Sequence, residues 1–173
     1  MKLSEIKVGE IFKTKTKEFI VLEQFDNSTT ALLQKDFWKK ARFDKEKSNL
    51  AKAEIFKDLN KNYYKELADE IGEENIVEHE VDLIMDTGHK DYGTVKANIS
   101  LLTADLFRKY VEILDRYNPE EWWWLATADS RQFTSYVRFV GGSGALVSGD
   151  VGNDFGGVRP FCIVKSEIEE ENQ

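Results

Sequence analysis

The chain is poor in the residues that carry most recognisable chemistry. It has one cysteine, Cys162, so no internal disulfide can form. Its two histidines, His79 and His89, stand outside any metal-ligand or Ser/His/Asp spacing. Two prolines and no Ser/Gly-rich linker leave no place for a domain boundary, and no repeat of 20–50 residues is present. No Walker loop or dinucleotide fingerprint occurs; Gly141-Gly142-Ser143-Gly144 lacks the following Lys and reads as a hairpin turn. No apolar run reaches the length of a membrane span, and Met1 to Ile6 carries no continuous apolar h-region, so the expected compartment is the cytoplasm. No catalytic residue, metal site or cofactor is expected.

Positive charge is also scarce. With 24 Lys and Arg against 32 Asp and Glu, the net charge is −8. Such a surface repels phosphate backbones and anionic membranes, and it suits a protein partner with a basic face. Part of the charge comes from Glu167, Glu169, Glu170 and Glu171, and residues 167–173 read as a solvated acidic tail behind a single domain of residues 1–166. The one basic stretch, Lys35 to Lys47, interleaves Phe37, Trp38 and Phe43 with Lys39, Lys40, Arg42 and Lys45. That is the texture of a single-strand nucleic-acid grip. Asp36, Asp44, Glu46 and the acidic total favour a solvated loop instead.

A hydrophobic fraction of 41%, with eleven Phe and four Trp, supports a core without staples in 173 residues. The first 35 residues read as a β-meander: Glu10 to Lys13, Glu18 to Glu23 and Thr29 to Gln34 are β-rich runs, separated by a Lys/Thr turn and by Asp26-Asn27-Ser28. Ser48 or Asn49 caps a helix to about Leu59, and a second helix turns Tyr63, Tyr64, Leu67, Ala68 and Ile71 inward before Gly72. Glu78 to Met85 and Ala97 to Leu102 read as strands around a loop holding His89. Thr103 caps a helix with Leu106, Phe107, Tyr110, Val111 and Leu114 on its apolar face. After Pro119 come an aromatic strand, Trp122-Trp123-Trp124-Leu125, and an alternating one, Tyr136 to Val140. Seven of the eleven glycines lie between Gly141 and Gly157, which reads as tight turns and irregular loops. Gly157 to Val164 closes the domain.

These C-terminal blocks carry a resemblance. Trp123-Trp124-Leu125-Ala126-Thr127-Ala128, Tyr136-Val137-Arg138-Phe139-Val140 and Gly157-Val158-Arg159-Pro160-Phe161 resemble a family of domains of unassigned function, common in Firmicutes and their phages. Its members carry a Trp-Trp-Leu-Arg-Ser-Pro-Gly box and end in Gly-Val-Arg-Pro-Ala-Leu. Upstream, Val8-Gly9-Glu10, Leu59-Asn60-Lys61-Asn62-Tyr63-Tyr64 and Ile99-Ser100-Leu101-Leu102-Thr103 are similar to its other blocks. This chain has Ala126-Thr127-Ala128-Asp129 where the box has Arg-Ser-Pro-Gly, and Ile55-Phe56-Lys57-Asp58 where an Arg-x-Trp usually stands. More distantly the layout is similar to C-type-lectin-like folds, among them the formylglycine-generating enzymes. The resemblance implies an α+β fold with small twisted antiparallel sheets, flanking helices and a long glycine-rich loop region.

Side chains alternate along a strand, so Trp122 and Trp124 face one way and Trp123 the other. An exposed Trp is a natural interface anchor. The expected binding residues are therefore Trp122 and Trp124 with Asp129, Arg131, Ser143, Asn153 and Asp154 of the neighbouring loops. Arg159, facing inward, needs a carboxylate or carbonyl partner, and an ion pair with Asp129 or Asp154 is favoured over ligand contact. The leading expectation is a non-enzymatic protein-binding module, acting for instance on a bacterial defence protein as an anti-CRISPR inhibitor does. A carbohydrate- or small-ligand-binding lectin-like protein is the alternative, and Asn118-Pro119-Glu120 and Asn153-Asp154 invite comparison with calcium-dependent sugar binding. An enzyme with an unrecognised site comes third.

Overall fold

The computed structural model describes residues 1–172 and is α+β. Strand Glu18–Gln24 shows how its layers arise. Phe19 and Val21 point to one face, Ile20 and Leu22 to the other, and all four are buried. A strand dry on both faces must lie inside a sheet that is covered twice. Its neighbours are Ile11–Lys13 on one side and Thr29–Gln34 on the other, so the expected meander is present. Thr29–Gln34 pairs in turn with Phe161–Lys165, which also holds the short strands Ile76–Val77 and Ile99–Ser100; every pairing is antiparallel.

Each face of this sheet has its own helical cover. On one lies residues 54–71, with Ile55, Leu59, Tyr63 and Leu67 in the core beside Phe19 and Val21. Two separate helices are expected from the sequence. The observed chain is instead a 3-10 turn, Leu50–Lys52, capped by Asn49, followed by Glu54–Asp58, a π turn at Leu59–Tyr63, and Tyr64–Ile71. The π turn buries both Leu59 and Tyr63 and aims Asn60 at the sheet. Asn60 Nδ2 donates to the carbonyls of Phe56 and Ile99, and its Oδ1 accepts from the backbone N–H groups of Asn98 and Ile99. All four amide positions are used, which clamps strand Ile99–Ser100 to the helix. Gly72 ends the helix at φ +87°, as its position suggests.

The second cover is the Thr103-capped helix, Ala104–Lys109, continued after a break at Tyr110 by Val111–Asp115. Phe107, Tyr110 and Leu114 pack with Ile20, Leu22, Leu33 and Trp123. At the break the Tyr110 hydroxyl donates to Glu23, 2.8 Å away.

A second sheet runs in the order Leu146–Asp150, Tyr136–Val140, Trp123–Ala128, Gly157–Val158, Lys39–Lys40. It is antiparallel except where Gly157–Val158 runs parallel to the Trp strand. The glycine-rich stretch is thus more regular than expected, because Leu146–Asp150 forms a full hairpin arm against Tyr136–Val140. His79–Asp82 and Thr94–Ala97 make a separate two-stranded ribbon. The two larger sheets share two apolar clusters: Trp124 and Ala126 join the one under the first helical cover, Trp123 and Leu125 the one under the second.

The acidic C-terminal segment is not a free tail. Leu3 N–H donates to the Ile168 carbonyl, Glu170 N–H to that of Met1 and Glu171 N–H to that of Lys13, while Lys2 pairs with Glu167 at 2.7 Å. Ile168 is buried. The proposed boundary at residue 166 therefore falls inside a segment stitched to the N-terminus, because one apolar side chain among the glutamates finds a place in the core.

Candidate binding face

All six residues of strand Trp123–Ala128 are buried. Trp123 lies against Phe107, with ring centroids 6.0 Å apart, and Trp124 against Phe43 at 5.9 Å. Trp124 Nε1 donates to the Ala41 carbonyl at 2.8 Å. Gly156 sits so close to this indole that a Cβ there would fall 2.1 Å from Nε1. Trp124 is therefore not an exposed anchor: the strand is covered on both faces, and its indole is consumed in holding the 41 and 156 segments together. Trp122, one residue before the strand, is half-buried. It stands edge-on to Trp124 at 4.8 Å and against Phe139 at 4.8 Å, so it remains at the margin of the face.

Arg159 is buried in the junction where the chain passes from one large sheet to the other. Its Nε donates to the carbonyls of Gln34 and Lys35 at 2.9 and 3.1 Å, and Nη2 to the Tyr117 carbonyl at 3.0 Å. The guanidinium stacks on Trp123, 4.9 Å from the ring centroid. The expected ion pair with Asp129 or Asp154 is absent; carbonyls at the ends of a strand and a helix take its place. Without a carboxylate in contact, burial pulls the arginine down to about 10.

The remaining expected residues lie on or beside the surface loops. Asp129 Oδ1 accepts from Ser148 Oγ at 2.5 Å, and Ser148 also accepts from Arg138. Arg131 is exposed and makes a two-pronged pair with Asp91 at 2.7 and 2.8 Å, which holds the Asp91 carboxyl below its usual range. Ser143 is exposed in the turn closed by Gly141 and Ala145. Asn153 Oδ1 accepts from Phe155 N–H at 2.9 Å, and Asp154 is exposed.

Three loops are tied together here by backbone bonds. Val151 N–H donates to Ser135, Phe43 N–H to Val151, and Ser48 N–H to Thr134. The same stretch of chain exposes apolar side chains that its sequence pattern does not mark as binding residues. Among the described residues six large apolar side chains are exposed, and four of them belong to residues 133–155: Phe133 at 51%, Tyr136, Val147 and Phe155 at 72%. Phe133 and Tyr136 stack at 5.9 Å. Val147 lies directly across the hairpin from Phe139, and so continues the Trp122–Phe139 margin. Their signal in the sequence is context: Phe133 and Phe155 are aromatic residues inside polar turns, with no periodic apolar partner to bury them.

Other chemistry is thin. Among the described residues no group of three or more His, Cys, Asp or Glu is placed to hold a metal ion. Asn118 is engaged in a turn, donating to the Gly142 carbonyl and accepting from Glu120 N–H. Cys162 is buried and its thiol is pushed up to about 12, which suppresses the nucleophilic thiolate. In the basic stretch Phe43 is buried, Trp38 donates to Glu66, and Lys39, Lys40 and Arg42 pair with Asp58, Glu121 and Glu54. No helix of the described residues is long and apolar enough to cross a membrane.

His79 stands edge-on to Phe161 at 5.3 Å, with Nε2 2.8 Å from Ser100 Oγ. Burial lowers its pKa from 6.5 to about 4, only partly offset by the Val77 backbone. Between those values the unfolded chain binds the proton and the folded chain does not, so stability falls as pH drops through the window. Lowering the pH from 7 to 4 is expected to remove about 2–3 kcal/mol more from the wild type than from His79→Gln. Urea titrations of both at each pH measure the difference.

Comparison with protein-family models, with curated proteins and with solved structures gave no match.

Proposed function

We propose that the chain is a non-enzymatic, cytoplasmic binding module that holds a protein partner on the three-loop face built by residues 129–136, 143–156 and 43–48. The observation that carries this reading is that four of the six large apolar side chains exposed among the described residues, Phe133, Tyr136, Val147 and Phe155, fall within residues 133–155, with Phe133 stacked on Tyr136 beside the tied loops. Aromatic side chains on a rigid base are the usual centre of a protein interface, surrounded by polar groups that close off water. Here the polar rim would be Asp129, Arg131, Ser143, Asn153 and Asp154, with Trp122 at its margin. Loops displayed from a Trp strand and a closing Gly157–Val158 strand support reading the α+β fold as C-type-lectin-like. The −8 charge directs the choice of partner toward a basic protein. A nuclease or nucleic-acid-binding defence protein has such a face, and occluding it is the way an anti-defence inhibitor such as an anti-CRISPR protein would act.

The test is affinity capture from a bacterial lysate, with wild type and Phe133→Ser/Phe155→Ser compared side by side and bound proteins identified by mass spectrometry. A partner retained by the wild type is expected to be lost at least tenfold by the variant, with unchanged thermal stability, and to elute as salt is raised. Equal retention by both proteins would remove these loops as the binding face.

A further inference from the structure

Arg159 carries more donors than its carbonyls use. Nε and Nη2 are spent on Gln34, Lys35 and Tyr117, but Nη1 is buried and has no acceptor among the described residues. The indole Nε1 of Trp123 is in the same position, buried and without an acceptor. Each of the two side chains is only 1% exposed, and the guanidinium lies over the Trp123 ring. Unpaired buried donors are rare and costly, and a pair on touching side chains suits a single shared acceptor.

Both residues line a cavity of about 10 Å³, walled by Phe107, Leu114 and Val140. That is room for one water-sized sphere. Asn118 lines it too; its Nδ2 gives one hydrogen to the Gly142 carbonyl and keeps a second.

Charge decides which sphere fits. Arg159 has no carboxylate in contact, and Asp36 acts on it only through space. Asp115, the one carboxylate of the lining, is exposed to water. A water molecule could accept from the donors, but its own hydrogens would face apolar walls. A monatomic anion accepts without donating and neutralises the buried guanidinium.

We propose that this cavity is a halide site, in which one chloride ion accepts from Arg159 Nη1 and Trp123 Nε1. Bound there, chloride fastens the Trp strand to the junction of the two large sheets, so the fold is more stable when chloride is present. Neither donor belongs to the loop face, and either assignment can fail alone.

Thermal melts of the full chain at constant, low ionic strength test it, with sodium gluconate replaced stepwise by chloride, bromide or sulfate. Chloride and bromide are expected to raise the Tm saturably by at least about 3 °C, and the larger sulfate to leave it within about 1 °C. Trp123→Phe, which keeps an aromatic ring and removes the N–H, should need at least fivefold more chloride for half the rise, and Arg159→Met should show none. Asp115→Asn, at an exposed position, should reach half the rise at no more chloride than the wild type. Phe133→Ser/Phe155→Ser should respond as the wild type does. No saturable rise with chloride, an equal rise with sulfate, a rise undiminished in Trp123→Phe and Arg159→Met, or a rise lost in Asp115→Asn would each overturn the proposal.

Discussion

Replacing Arg159 by methionine is expected to lower stability by about 2–4 kcal/mol, since buried carbonyls left without a donor cost about 1–3 kcal/mol each. The cost has two sources. Carbonyls of Gln34, Lys35 and Tyr117 lose their charge-assisted donors in a dry site, and the stack on Trp123 disappears. Arg159→Lys separates geometry from charge. If a buried cation were all that mattered, lysine would restore the loss. A single ammonium cannot bridge carbonyls from residues 34–35 and from Tyr117 as the planar fork does, so lysine is expected to recover less than half. Urea denaturation of the three proteins at pH 7 gives the comparison. A loss below 1 kcal/mol for the methionine variant would mean that the junction does not depend on this side chain.

Trp124→Ala and Trp122→Ala are expected to part company by several kcal/mol, although the residues lie two apart in the chain and their rings touch. Trp124 is fully buried, hydrogen-bonded to Ala41 and packed on Phe43, Phe139 and Gly156. Its removal leaves a cavity where the second sheet meets the 35–47 segment, at a cost of about 3–5 kcal/mol. Trp122 has already part of its surface in water, and its loss should cost about 1 kcal/mol. Thermal melts rank the pair. Similar losses for both would contradict the burial described for Trp124.

The contrast also shows which parts of the sequence could be read. The continuous apolar run from Phe19 to Leu22, the period-2 alternation in Tyr136–Val140, the Thr103 cap and the Gly72 stop are local signals, and local signals appear as expected. That the Trp strand is covered on both faces is not local. It depends on Gly156 and Phe43, remote in the chain, closing over Trp124. The acidic run hid Ile168 for a similar reason, since one apolar residue among glutamates has no periodicity to announce it. The blocks that carry the family resemblance have structural duties here: Asn60 saturates its amide across helix and strand, the Tyr63 hydroxyl donates to Gln34, and Arg159 joins the sheets. They describe a scaffold. The residues offered to a partner, Phe133, Tyr136, Val147 and Phe155, lie outside those blocks or at their edges, where loops are free to vary.

The binding face is tested most directly by amide hydrogen exchange on the chain, alone and with its captured partner. The expected result is protection concentrated in residues 130–136 and 150–156, with little change along 54–71 and 104–115. Protection confined to either helix, with those loops exchanging as in the free protein, would contradict the assignment.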